Sequence, residues 1–150
     1  MSTQDNRNGN DEMIGRGVAF PLRMSEGYNH LATVGGDDNI KQSIYIIIHT
    51  APGERVMRPD FGCAIHDLIF SPANNQTARE AERHVSNALK QWEPRIDLQE
   101  VRVSAQQGDL PEHGYLLIEV DYTLKSTSDS NNLIFPFYLN PQVDEETSNE

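Results

Sequence analysis

Cysteine is almost missing from this chain: Cys63 is the only one. A lone thiol excludes an intramolecular disulfide and any cysteine-based zinc cage. Long apolar runs are missing too. The longest, Ile44 to Ile48, has five residues, where a bilayer-spanning helix needs roughly 20. The first ten residues are polar and lack the apolar stretch of a leader peptide, so no secretory signal is expected. Bases are scarce: 12 Lys and Arg against 23 Asp and Glu leave a net charge of −11. Such a chain repels phosphate polymers and anionic lipid, so neither nucleic-acid binding nor membrane insertion is expected. The composition suits an acidic, soluble protein made in the cytoplasm.

What is present fits one core. A chain of 150 residues is a single-domain length. Residues 1–13 are polar, and residues 141–150 carry Asp144, Glu145, Glu146 and Glu150 with no base. Both read as disordered tails, too poor in apolar groups to join a core. One domain is expected over residues 14–140. Its opening GRGVAFPL reads as an extended arm anchored by Val18 and Phe20, and residues 24–36 read as loop.

The first helix is expected near Asp37 or Asp38, acids that suit the positive end of a helix dipole. Ile40, Ile44, Ile47 and Ile48 then fall on one helical face, although Ile44 to Ile48 alone is compatible with a strand. Pro52-Gly53 is a stop. A short helix between Phe61 and Phe70 would bury Ile65, Leu68 and Ile69. A long helix follows, started by the capping-box pattern Thr77-x-x-Glu80. Ala78, Ala81, Val85, Ala88, Leu89 and Trp92 form its apolar stripe, and Pro94 ends it. Three strands come last. Leu98 to Ser104 turns Val101 and Val103 inward. Tyr115 to Lys125 alternates, with Leu116, Ile118, Val120, Tyr122 and Leu124 on one face. Leu133 to Leu139 contains Pro136, which predicts an edge strand or a bulge. The expected fold is α+β, two helices packed on a small antiparallel meander.

No catalytic constellation emerges. His30, His49, His66, His84 and His113 lack metal-ligand spacing, and no Ser or Cys is set to complete a triad around His66 and Asp67. Cys63 reads as a packed, inert thiol. Gly15-Arg16-Gly17 and Gly35-Gly36 lack the strand–glycine–helix setting of a phosphate loop. Glu54, Asp60 and Glu93 are the candidate acids for glycosidase chemistry, which needs two facing carboxyls of different pKa. Each has an arginine close in sequence, which would hold it ionised. No catalytic residue, metal or cofactor is expected.

Three segments carry the functional signal: Thr50-Ala-Pro-Gly-Glu-Arg55, Arg58-Pro-Asp-Phe-Gly62 and Trp92-Glu-Pro-Arg-Ile96. In this order, behind the GRGVAFPL arm and ahead of the meander, the chain resembles the small baseplate wedge proteins of contractile machines. That family spans P2-like and T4-like phage tails, type VI secretion baseplates and extracellular contractile injection particles. The resemblance covers residues 14 to 139. It implies a non-enzymatic component of a phage tail or injection particle, present in six copies around the hub and spike. It also implies a fold like the strand-exchange domain of sheath proteins, with the sheath protein and other wedge and hub proteins as partners.

The residues agree with that reading in two places. The hairpin bearing Leu116, Ile118, Val120, Tyr122, Leu124, Leu133, Phe135 and Phe137 suits β-strand exchange with a sheath. The plainer alternative is a hairpin paired within its own domain. Glu93, Pro94 and Arg95 form a stiff corner from which the two charges would project, the arginine fork toward a partner carboxylate. The plainer alternative there is a local pair at a helix end. The loop of Gly53, Glu54, Arg55, Arg58, Pro59, Phe61 and Gly62 completes the candidate partner-binding set. Gly53 and Gly62 would supply tight turns, and Arg55 and Arg58 would tie the loop to the corner or to a neighbouring subunit. Two rival functions stay open: a lysozyme-like peptidoglycan hydrolase, and a free adaptor with acidic tails.

Overall fold

The computed structural model describes residues 16–18, 33–109 and 113–139. The expected tails, and Phe20 as an anchor, lie outside the described residues. Strand β1 (Arg16–Val18) pairs antiparallel with β2 (Thr33–Gly35), so the arm is extended where it is described. Residues 33–35, expected as loop, are instead strand, because the arm supplies their backbone partners.

Helix α1 runs Gly36–His49 and buries Ile40, Ile44, Ile47 and Ile48, as the spacing requires. Asp37 and Asp38 sit in its first turn. The next short helix is a 3-10 turn, Ala64–Leu68, that buries Ile65 and Leu68. Ile69 lies just beyond it and is only half-buried. Helix α2 runs Asn75–Trp92 and buries Ala78, Ala81, Val85, Ala88 and Leu89. Its N-cap is Asn74, whose side chain accepts from the Thr77 N–H at 2.9 Å. The capping box expected at Thr77 is therefore corrected. Asn74 satisfies the orphan N–H one turn earlier, and Thr77 is a buried helix residue.

Strands β3 (Ile96–Gln107), β4 (Gly114–Leu124) and β5 (Ser130–Tyr138) form an antiparallel sheet in the order β3-β4-β5. The fold is the expected α+β architecture. β3 is longer than its sequence suggested, because its register slips between Leu98 and Glu100. A bulge there breaks the two-residue period and hides the strand's start. On β4, Leu116, Ile118, Val120, Tyr122 and Leu124 all face the core, which the helices cover. Each large apolar side chain removed from water contributes about 1.5–3 kcal/mol. Tyr122 also donates to Asp37 at 3.3 Å, tying the sheet to the start of α1.

Pro136 obeys the edge-strand rule in detail. The Leu139 N–H bonds the Gly114 carbonyl at one end of the β4–β5 ladder, and the Leu124 N–H bonds the Asp129 carbonyl at the other. Hydrogen-bonded and non-bonded pairs alternate in an antiparallel ladder. Pro136, opposite Leu117, therefore stands at a position whose nitrogen points away from β4. The sheet loses no hydrogen bond to the imino acid.

Candidate partner-binding surfaces

The Glu93–Pro94–Arg95 corner does not project as expected. Glu93 follows α2 as its C-cap, and its N–H bonds the Leu89 carbonyl at 3.0 Å. Its side chain turns inward and is only 2% exposed. Arg95 clamps the carboxylate with two prongs, Nε to Oε1 and Nη2 to Oε2, each at 2.8 Å, and its backbone N–H adds a third bond at 3.3 Å. Ser43 on α1 donates to the same carboxylate. Burial pushes the Glu93 carboxyl up, but the arginine and Ser43 outweigh it and hold it below the usual range. The fork expected for a partner is used within the chain, because a buried carboxylate needs a counter-charge. Pro94 remains exposed.

The loop after α1 has the opposite character. It is closed by bonds from Gly53 N–H to the Pro59 carbonyl at 2.6 Å and from Cys63 N–H to the Thr50 carbonyl at 2.9 Å. Glu54 accepts from the Ala51 N–H at 2.8 Å. Gly53 and Gly62 adopt φ of 87° and 127°, so the two turns expected at these glycines are present. A Cβ at Gly62 would collide with the Thr50 carbonyl. Residues 52–60 are exposed throughout. Arg55 lies over the Phe61 ring at 4.3 Å and Arg58 over the Trp92 ring at 5.9 Å. Phe61 and Trp92 are themselves in contact, with centroids 5.1 Å apart. The loop thus leans on the residue next to Glu93 through rings and not through ion pairs. Between the arginines, Val56 is 94% and Met57 92% exposed. Sequence reasoning passed over this pair, although two adjacent apolar residues inside a turn-rich segment are a readable signal.

The hairpin expected for strand exchange divides in two. β4 is the central strand, so the backbone of Leu116, Ile118, Val120, Tyr122 and Leu124 is paired on both sides. Among the described residues the open edges belong to β3 and β5. Phe135 and Phe137 are buried and Leu133 is half-buried. Beneath β5, His49 stacks on Tyr45 at 3.9 Å and approaches Phe135 and Phe137. Burial holds the His49 pKa below its usual value, and nearby His66 pushes the same way.

Nothing among these groups assembles a reaction centre. Cys63 is buried, and burial pushes its thiol up to about 11. Among the described residues, no three His, Cys, Asp or Glu side chains are placed to hold a metal ion, and no helix is long and apolar enough to cross a membrane.

The described residues form a small α+β module, two helices on a three-stranded antiparallel sheet. The model of the family described as "Baseplate wedge protein gp25" matches residues 34–129, and the chain belongs to that family of contractile-machine baseplate proteins. It is 33% identical over 91 residues to baseplate wedge protein gp25 of Enterobacteria phage T4, a match covering 61% of this chain and 66% of the T4 protein. The match thus spans slightly less than two thirds of that relative's length. A Geobacter sulfurreducens crystal structure named as a candidate tail lysozyme is 48% identical, with a TM-score of 0.60, covering 71% of this chain and 93% of that one. A chain of the anti-feeding prophage baseplate shares the fold at 21% identity, with a TM-score of 0.63, over 91% of this chain and 94% of that one.

Proposed function

We propose that this chain is a structural wedge subunit that links the hub and spike of a contractile machine to its sheath. Six copies surround the hub, and each starts sheath assembly by accepting a β-strand. The observation that carries this reading is the edge strand β5. It is nine residues long, its inner face completes the core, and its outer backbone is open among the described residues. Strand addition uses such an edge, because backbone groups give affinity and alternate side chains give selectivity. A tagged copy drawn gently from its native host should bring down sheath, tube and spike proteins on needle-shaped particles, identified by mass spectrometry and negative-stain imaging. A clean monomer would sink the proposal and favour the adaptor, whose partner binding should vanish on deletion of residues 141–150.

The name of the Geobacter relative calls for a test of cell-wall hydrolysis. A general acid needs a raised pKa, and Glu93 is held low by its arginine. Glu54 is occupied by the Ala51 N–H. Purified protein should leave peptidoglycan intact in a zymogram. Clearing that Glu93→Gln abolishes would replace the structural reading with an enzymatic one.

A further inference from the structure

The ladder parity that excuses Pro136 also fixes which backbone groups β5 offers outward. Residues paired to β4 are Asn131, Leu133, Phe135, Phe137 and Leu139, the inward-facing set. The alternate set points to the open edge. It offers N–H groups at Ser130, Asn132 and Ile134, none at Pro136, and one more at Tyr138. The donor row is continuous only over Ser130–Ile134, and Pro136 ends it.

Side chains above that row are charged. Asn132 donates to Glu119 at 2.9 Å and to Asp121 at 2.6 Å. Arg102 sits against Glu119 at 2.9 Å, Asp121 at 2.7 Å and Glu100 at 3.5 Å. Three acids against one base leave this patch at net −2. On either side of Pro136 the same face is apolar, with Ile134 53% and Tyr138 64% exposed and Tyr138 packed on Tyr115 at 5.7 Å.

We infer that β5 accepts one extended segment of a partner protein along Ser130–Ile134, with Pro136 as the register stop. The segment alternates apolar residues, which cover Leu133 and the edge of the core, with lysine or arginine reaching over Asn132 toward Glu119 and Asp121. The inference rests on the reading of β5 as the binding edge and adds its register and charge preference. A strand seated next to β5 lies about two interstrand spacings, roughly 9–10 Å, from β4, within reach of a long basic side chain. A second copy of this chain is a poor occupant, since it would bring a like-charged patch.

The test uses the full chain and a synthetic peptide of alternating valine and lysine, with a valine–glutamate peptide as control. By hydrogen exchange, the lysine peptide should slow the Asn132 and Ile134 amides about fivefold or more, and leave Tyr138 unchanged. The glutamate peptide should do neither. Asn132→Pro removes the central outward donor without touching the β4 ladder, as Pro136 already shows. It also removes the Asn132 side-chain bonds to Glu119 and Asp121, so peptide binding should weaken about fivefold with only a small loss of thermal stability. Pro136→Val restores the missing donor and should tighten binding and extend protection to Tyr138. Protection centred on Tyr138, equal binding of both peptides, or unchanged binding by Pro136→Val would overturn the inference. None of those results touches the recovery of sheath and spike proteins from the host, so the two readings fail separately.

Discussion

At the end of α2, a glutamate and an arginine two residues apart fold inward against each other. In the loop after α1, two arginines three residues apart fold outward onto aromatic rings. The two turns touch through Arg58 and Trp92, and both are rich in proline, arginine and acid. Their residue types predict the same use, yet burial separates them. Glu93 lost its water and had to be neutralised on the spot, which spent Arg95. Arg55 and Arg58 kept their water, so a ring face suffices and the charge stays available to another molecule. In this chain the corner is a lock that joins α1, α2 and β3, and the loop is a surface.

The most severe way to break that contrast is to open the lock. Arg95→Ala leaves a buried carboxylate without its counter-charge and should cost about 3–5 kcal/mol, read as a lower urea midpoint. Pairing it with Glu93→Gln should cost less than the sum of the two single changes, because the stranded charge is gone. An Arg95→Ala midpoint within experimental error of wild type would show that the corner is as superficial as the loop. By the same argument Arg95→Glu should not leave a folded monomer that merely fails to assemble. Two carboxylates facing each other at a buried site should unfold it.

Second in size is the loop's own anchoring. Gly62→Ala combines a φ of 127° with a collision against the Thr50 carbonyl, and should cost about 3 kcal/mol. Gly53→Ala has open space around it at a φ of 87°, and should cost about 1 kcal/mol. Thermal unfolding of both variants separates a glycine that seats the loop from one that only shapes it. Equal losses would mean that the collision is relieved by movement of the loop.

Acid provides a third test of the lock. The Glu93 carboxyl is held below its ordinary value of 4.5 in the folded chain. Its contribution is complete above that value and is lost as pH falls through the depressed folded pKa. His49 acts earlier in the same direction. Its pKa lies below the ordinary 6.5 when folded, so stability falls as pH drops from 6.5 toward the folded value. Urea titrations across this range should show a His49 step that His49→Phe removes, and a lower step that Glu93→Gln removes.

The fold was largely legible because periodicity and punctuation agree. Four isoleucines on one face, an acid pair before them and Pro52 after them leave α1 little alternative. The alternation from Leu116 to Leu124 does the same for β4. Two errors came from signals that compete over short distances. Asn74 and Thr77 are both good caps three residues apart, and only backbone geometry chooses between them. Gln99 and Glu100 interrupt the alternation of β3 because a bulge sits there. The site was read less well. Glu93-Pro94-Arg95 shows a charge pair in one dimension, but which way a C-cap side chain turns depends on Ser43, fifty residues away in the chain. The openness of β5 became visible only once β4 was known to be central.

The smallest expected effect on stability belongs to the arginine loop. Arg55 and Arg58 make ring contacts at exposed positions, and such contacts are worth about 0.5–1 kcal/mol. Arg55→Ala and Arg58→Ala should therefore shift the urea midpoint only slightly, and Met57→Ser less still. If the loop is a surface, the same substitutions should reduce recovery of baseplate partners in the pull-down well beyond what their stability loss explains. A double variant, Arg58→Ala with Met57→Ser, should keep its fold and lose partners. If instead partner recovery tracks the urea midpoint across all of these variants, the loop is packing material like the corner. The contrast between inward and outward arginines would then concern stability alone. The result that sustains it is a plot in which loop variants fall off the line drawn by Arg95→Ala and Gly62→Ala: folded, and unable to assemble.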